Sequence, residues 1–309
     1  MLTMIISLYS SRVILQTLGV EDYGIYNVVG GFVTLMSFVS GAMNTSTSRY
    51  ITFALGTGDQ QYLRKVFSIS LSAHLIIAFI IVLFGETVGL WFLKNKLVIP
   101  DEKMTAAFIT YQIGLVSIVL QMWSIPYNAC IIAHEKMSAF AYISIYEAIT
   151  KLLIVFLLPI IPFDRLISYS ILLFVVQVSI RFIYSWYCRR HFQESKFEFI
   201  WDKPLFKEIL SFAGWNLWGS ASYALFTQGV NVLLNMFFGP VVNAARAIAI
   251  QVQTAVSMFA SNFQMAINPQ ITKTFASRDL NTMHSLIYRS SKFSFLLLFC
   301  LSLPIILES

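Results

Sequence analysis

The residues of this 309-residue chain best suited to chemistry are arginines set in apolar sequence. Arg12, Arg181 and Arg246 lie inside long hydrophobic runs, and Arg49 lies near the end of another. A guanidinium keeps its charge, and its fork of donors can hold two oxygens of a phosphate at once. An ionisable group inside hydrocarbon is costly enough to be a functional candidate by default. Arg12, Arg49 and Arg246 fall on the first two helices of two similar halves, where they can line a central cavity. Such a cavity favours an anionic, phosphate-bearing ligand. The competing reading is that these side chains snorkel to an interface. That reading weighs most for Arg181, close to the basic pair Arg189-Arg190.

Uncharged polar side chains extend the same theme. Asn216, Gln228 and Asn231 lie on the seventh apolar segment and Gln251 on the eighth. Amides facing lipid would be left without partners, so they must face other helices or a hydrated path. Amides suit sugar hydroxyls, and Trp215, Trp218 and Tyr223 could stack on sugar rings or belong to an interfacial aromatic belt. The second segment carries a stripe that includes Ser40, Asn44, Ser46 and Thr47. Glu147 and Lys151 are four apart and share a helix face. They form either a self-neutralising pair or an ion-coupling site with Glu147 as the titrating group. His74 is read as a helix contact or a proton relay. Glu86 sits within a Gly-x-x-x-Gly spacing that suits close helix packing.

The elements that position these residues follow from composition. Hydrophobic residues make up 57% and charged residues 12%, with a mean hydropathy of +0.72. Soluble domains carry about 25% charged residues, so soluble enzymes and nucleic-acid binders are disfavoured. A span needs about 20 apolar residues. Nine segments qualify: 1–18, 24–54, 66–93, 104–132, 139–160, 166–187, 206–238, 241–272 and 285–307. Their continuous apolarity favours an all-α polytopic membrane protein over a barrel. Pro126 and Pro269 can kink their helices.

With alternating loops, thirteen Lys and Arg fall on the side of the N-terminus and four on the other. The bias places the N-terminus in the cytoplasm. No Walker sequence, His-Glu-x-x-His or Gly-x-Ser-x-Gly is present. Cys130, Cys188 and Cys300 form no metal motif. No cofactor, metal site or enzymatic activity is expected.

The basic connection after the sixth segment divides the chain into 1–190, a linker 191–205, and 206–309. The second part echoes the first at an offset of 220, with Gly19 matching Gly239, Thr34 matching Thr254 and Asp59 matching Asp279. The offset spans six segments, giving parallel repeats, one of the known transporter plans. On that reading the second half ends after three of its six spans, and a shortened form of a longer chain is expected.

The stretch from Arg12 through Leu18-Gly19 to Tyr23-Gly24-Ile25-Tyr26 resembles the first-loop signature of bacterial polysaccharide and O-antigen flippases. Phe238-Gly239-Pro240 through Gln251, with Asn268-Pro269-Gln270-Ile271, resembles the matching second-half region. These flippases belong to the multidrug/oligosaccharidyl-lipid/polysaccharide exporter superfamily. The resemblance implies a MATE-like fold of about twelve to fourteen helices in two six-helix lobes. It implies flipping of an undecaprenyl-pyrophosphate-linked oligosaccharide across the bacterial inner membrane, for surface polysaccharides such as lipopolysaccharide. Arg12, Arg49 and Arg246 stand where the family's pyrophosphate contacts are expected. Contact with other polysaccharide-assembly membrane proteins is expected too. Two alternatives stay open. A multidrug exporter usually needs carboxylates in its cavity, and the first, second, seventh and eighth segments carry no internal Asp or Glu. A membrane-embedded oligosaccharide polymerase or ligase typically needs a large outer loop, and the longest here is only Lys94 to Lys103.

Overall fold

A computed structural model describes residues 2–97 and 99–307. The described residues form helices joined by short turns, with no strand among them. The long helices are α1 (Leu2–Thr57), α2 (Gln60–Phe84), α4 (Asp101–Ala133), α5 (Met137–Leu157), α6 (Arg165–His191), α7 (Lys203–Ala276) and α8 (Leu280–Leu307). A π-helical turn, Gly85–Gly89, carries α2 into the short α3 (Leu90–Asn95).

Five helical stretches among the described residues are long and apolar enough to cross a membrane: Gln60–Asn95, Asp101–Ala133, Met137–Ile160, Arg165–His191 and Leu280–Leu303. They coincide with the third, fourth, fifth, sixth and ninth expected segments. The other four expected segments lie in pairs within α1 and α7. Gly19, at φ 82° and ψ 168°, breaks α1 between its two segments. Only glycine adopts that backbone readily. Helical assignment in α7 runs past Gly239-Pro240, where the sequence places a break. Yet α7 cannot be one straight rod. Its start meets α1 at Tyr50 and its end meets α1 at Phe53, through Phe212 and Phe275 respectively. Two such distant points reach one helix turn only if α7 doubles back.

Local chemistry sets the helix ends. Asp59, Asp164 and Asp202 cap α2, α6 and α7 by accepting hydrogen bonds from backbone N–H groups of the first turn. Such caps contribute about 1 kcal/mol each. Asp101 and Glu102 open α4, and Arg189, Arg190 and His191 close α6, each favourable to the helix dipole.

The largest buried cluster joins the end of α1, the start of α2, the end of α4, and α5 and α6. A second joins α1, α2, Leu93 of α3, most of α4 and Leu166 of α6. At its edge, a Cβ on Gly85 would lie 2.5 Å from Leu115 Cδ2. The Tyr111 hydroxyl donates to the Gly85 carbonyl at 2.7 Å. The Gly-x-x-x-Gly spacing therefore serves close packing of α2 on α4.

Candidate functional site

Arg49 lies on the seam between α1 and α7. Its guanidinium carbon sits 4.4 Å from the centre of the Phe212 ring. Beside it, the Tyr50 hydroxyl donates to Glu208 at 3.1 Å. The buried Ser46 hydroxyl donates to the Ile209 carbonyl at 2.9 Å. Arg49 itself stays exposed, so its donors remain available while its flat face is held.

Arg246 is half-buried, and its Nε has no hydrogen-bond partner among the described residues. No described contact joins it to Arg49. Asn216 donates its amide to the Phe212 carbonyl of its own helix at 2.8 Å. The side chains of Arg12, Gln228, Asn231 and Gln251 lie outside the described residues. Trp215, Trp218 and Tyr223 are exposed on α7.

Glu147 and Lys151 pair with each other at 2.6 Å on a partly exposed face of α5. Arg181 differs from the other arginines. It is 6% exposed, with its guanidinium carbon 4.2 Å from the Trp123 ring and 4.3 Å from the Tyr127 ring. Among the described residues its Nε and one Nη are buried without hydrogen-bond partners. Snorkelling does not describe this side chain; α4 aromatics enclose it.

The sequence singled out no latch between distant segments, but the fold contains one. In the turn between α4 and α5, Glu135 accepts from Lys273 Nζ at 2.6 Å and from Gln270 Nε2 at 2.9 Å. Its backbone is held at φ 58°, a left-handed conformation costing about 1–2 kcal/mol outside glycine. Burial alone would raise its carboxyl, but Lys273 and Gln270 outweigh that and hold it below the ordinary value of 4.5. Close by, a Cβ on Gly56 would lie 2.7 Å from Ala276 Cβ and from Lys273 Cα. The ends of α1 and α7 are thus nearly in backbone contact. Partners 138 residues apart leave no local signal in the sequence.

The linker after α6 is fastened to the same face. His134 Nε2 lies 2.5 Å from Glu194 Oε1, and its ring stacks on Phe192 at 4.0 Å. Although burial raises the Glu194 carboxyl, the hydrogen bond with His134 leaves it below its ordinary value. Arg64 pairs with Glu198, and Lys65 with Asp202. On the opposite face Lys103 bridges Asp22 at 2.9 Å and Asp164 at 3.4 Å. The charged loops therefore sort onto two faces as alternation of spans requires.

The offset of 220 has a structural counterpart. Gly58 and Arg278 both have positive φ, at 75° and 61°. Each precedes an aspartate, Asp59 or Asp279, whose carboxylate accepts from N–H groups of the next helix.

These features define a helical, multi-pass membrane fold with Arg49 exposed on the seam between its two longest elements. The chain shares the fold of solved MATE-type transporters. It superposes on a MATE transporter in complex with MaD5 with a TM-score of 0.76, at 14% identity, covering 96% of this chain and 67% of that one. An outward-facing multidrug resistance MATE transporter of the MOP superfamily gives a TM-score of 0.70, at 14% identity, covering 95% of this chain and 66% of that one. A MOP superfamily transporter from Pyrococcus furiosus, described as having a binding pocket of reversed polarity, gives 0.66 at 15% identity, covering 96% and 67%. The chain spans about two thirds of the length of these structures. The comparison with curated proteins finds no match. The family model for polysaccharide biosynthesis proteins matches residues 1–275, and the chain belongs to that family.

Proposed function

We propose that this protein transports a lipid-linked, pyrophosphate-bearing oligosaccharide across the bacterial cytoplasmic membrane for surface polysaccharide assembly, and that it is not an enzyme. The family match over residues 1–275 carries this reading. Arg12, Arg49 and Arg246 are its anion contacts, and guanidinium supplies two-point recognition of phosphate oxygens. Asn216, Gln228, Asn231 and Gln251 contact the sugar portion. Glu147 with Lys151 is the candidate coupling site. The lobes comprise 1–190 and 206–309, joined by the linker 191–205. The face carrying most Lys and Arg is cytoplasmic, which makes the Glu135–Lys273 latch a closed cytoplasmic gate.

The test is export in cells lacking their own flippase. Expression of the full gene is expected to restore surface glycan. Arg49→Ala and Arg246→Ala are each expected to reduce it by at least tenfold at equal membrane abundance, with Arg49→Lys restoring little. Full surface glycan with both alanine variants would overturn the arginine assignment.

Multidrug export is the second reading, because some solved structures of this fold are described as multidrug transporters. It predicts drug resistance on expression with no effect on surface glycan.

A further inference from the structure

We propose that the seam between α1, α2 and α4 holds one internal water molecule, bound by Asn44, Thr47, Ser70 and His74. Thr47, Ser70 and His74 are fully buried at 0% exposure. Among the described residues, four buried atoms on these helices have no hydrogen-bond partner: Asn44 Oδ1, Thr47 Oγ1, Ser70 Oγ and His74 Nε2.

Helix register turns the four to one side of the α1–α2 hairpin. The turn at Gly58 makes α1 and α2 an antiparallel hairpin. Met43 and Ala73 share one buried cluster, with Val39 and Ile77 packed beside them. At about 100° per residue, that register turns Asn44 and Thr47 to one side of the hairpin. Ser70 and His74 turn to the same side. There the Ser40 hydroxyl meets Met122 Sδ of α4 at 3.8 Å. Ser46, on the opposite side, bonds instead to α7.

The chemistry of the four atoms selects the ligand. His74 Nδ1 lies 2.7 Å from the Ser70 carbonyl, an acceptor, so Nδ1 carries the proton. Nε2 of the neutral ring is then an acceptor, as is Asn44 Oδ1. The two hydroxyls can donate. A water molecule donates twice and accepts twice, which matches two acceptors and two donors. Buried polar groups left unpaired cost about 1–3 kcal/mol each, and internal waters satisfy such groups with two to four bonds. No carboxylate stands among the four to balance a cation, and no cationic group to balance an anion. The inner part of the α1 stripe is thereby assigned to hydration of the fold instead of sugar contact, independently of the transported substrate.

The test is a high-resolution experimental map of the full-length protein in nanodiscs, prepared once in sodium chloride and once in choline chloride. One peak within hydrogen-bonding distance of the four atoms is expected in both, and its loss in His74→Leu. A peak present only with sodium would overturn the proposal in favour of a cation site. Direct pairing of the four side chains with no peak would overturn it as well. Persistence of the peak in His74→Leu would remove His74 from the site.

Discussion

Arg181 shows how two residues of one type can do opposite work. Arg49 lays its flat face on Phe212 and keeps its donors exposed. Arg181 is enclosed by Trp123 and Tyr127, with its Nε and one Nη unmatched among the described residues. Cation–π contacts contribute roughly 0.5–2 kcal/mol each. Orphaned donors cost about 1–3 kcal/mol each, and desolvating the charge adds to that. Replacing buried ions with apolar groups of similar volume is often neutral or stabilising. Arg181→Met is therefore expected to raise stability by about 1–2 kcal/mol, read as a higher Tm in detergent. A lower Tm would show that the guanidinium has a counter-anion. The sequence marked Arg181 as an intramembrane cation, but whether it snorkels or is caged depends on what α4 places beside it. Trp123 and Tyr127 lie more than fifty residues away in the chain.

At the scale of elements, glycines decide how closely helices approach. Gly56 lets the end of α1 lie against Lys273 and Ala276. Since the Lys273 backbone is among the atoms met, no rotamer change relieves an added methyl. Gly56→Ala is expected to separate α1 from α7 at this face. Overpacking of this kind typically costs about 1–3 kcal/mol. Under the proposed function it should weaken closure of this face and lower glycan export while membrane abundance stays near wild type. The distance between spin labels placed at the ends of α1 and α7 is expected to lengthen. An unchanged distance would show that the methyl is absorbed without separating the helices. The five spans outside α1 and α7 were legible from continuous apolarity. Close approach at Gly56 was not, because nothing in the local sequence says which surface a glycine will meet.

For the whole molecule, the Glu135 latch predicts a pH dependence of the closed face. Its carboxyl titrates below the ordinary 4.5 in this arrangement. A group with a depressed folded-state value contributes its full stabilisation above the ordinary value and loses it as pH falls through the depressed one. The closed face should therefore persist from neutral pH to about 4.5 and loosen only on stronger acidification. Glu135→Gln should loosen it at neutral pH, since a neutral amide can accept a hydrogen bond from the Lys273 ammonium but cannot form an ion pair with it. Spin-label distances across the face are expected to broaden for Glu135→Gln at pH 7 and for wild type only in strong acid. Equal broadening of both at pH 7 would show that the latch does not hold the gate.

Composition and periodicity alone determined a multi-pass helical protein, its segment positions, the sorting of its charged loops and the echo at an offset of 220. Each of these rests on local solvation: apolar runs seek lipid, and charges stay in water whatever the rest of the chain does. Tertiary structure decided the pairings that cross between segments. It folded α7 back onto α1, joined Glu135 to Lys273, and closed aromatic rings over Arg181. It also turned Ser46 toward α7, where its hydroxyl meets the Ile209 carbonyl. Those outcomes depend on which helix faces meet, and a sequence read one segment at a time carries no term for that.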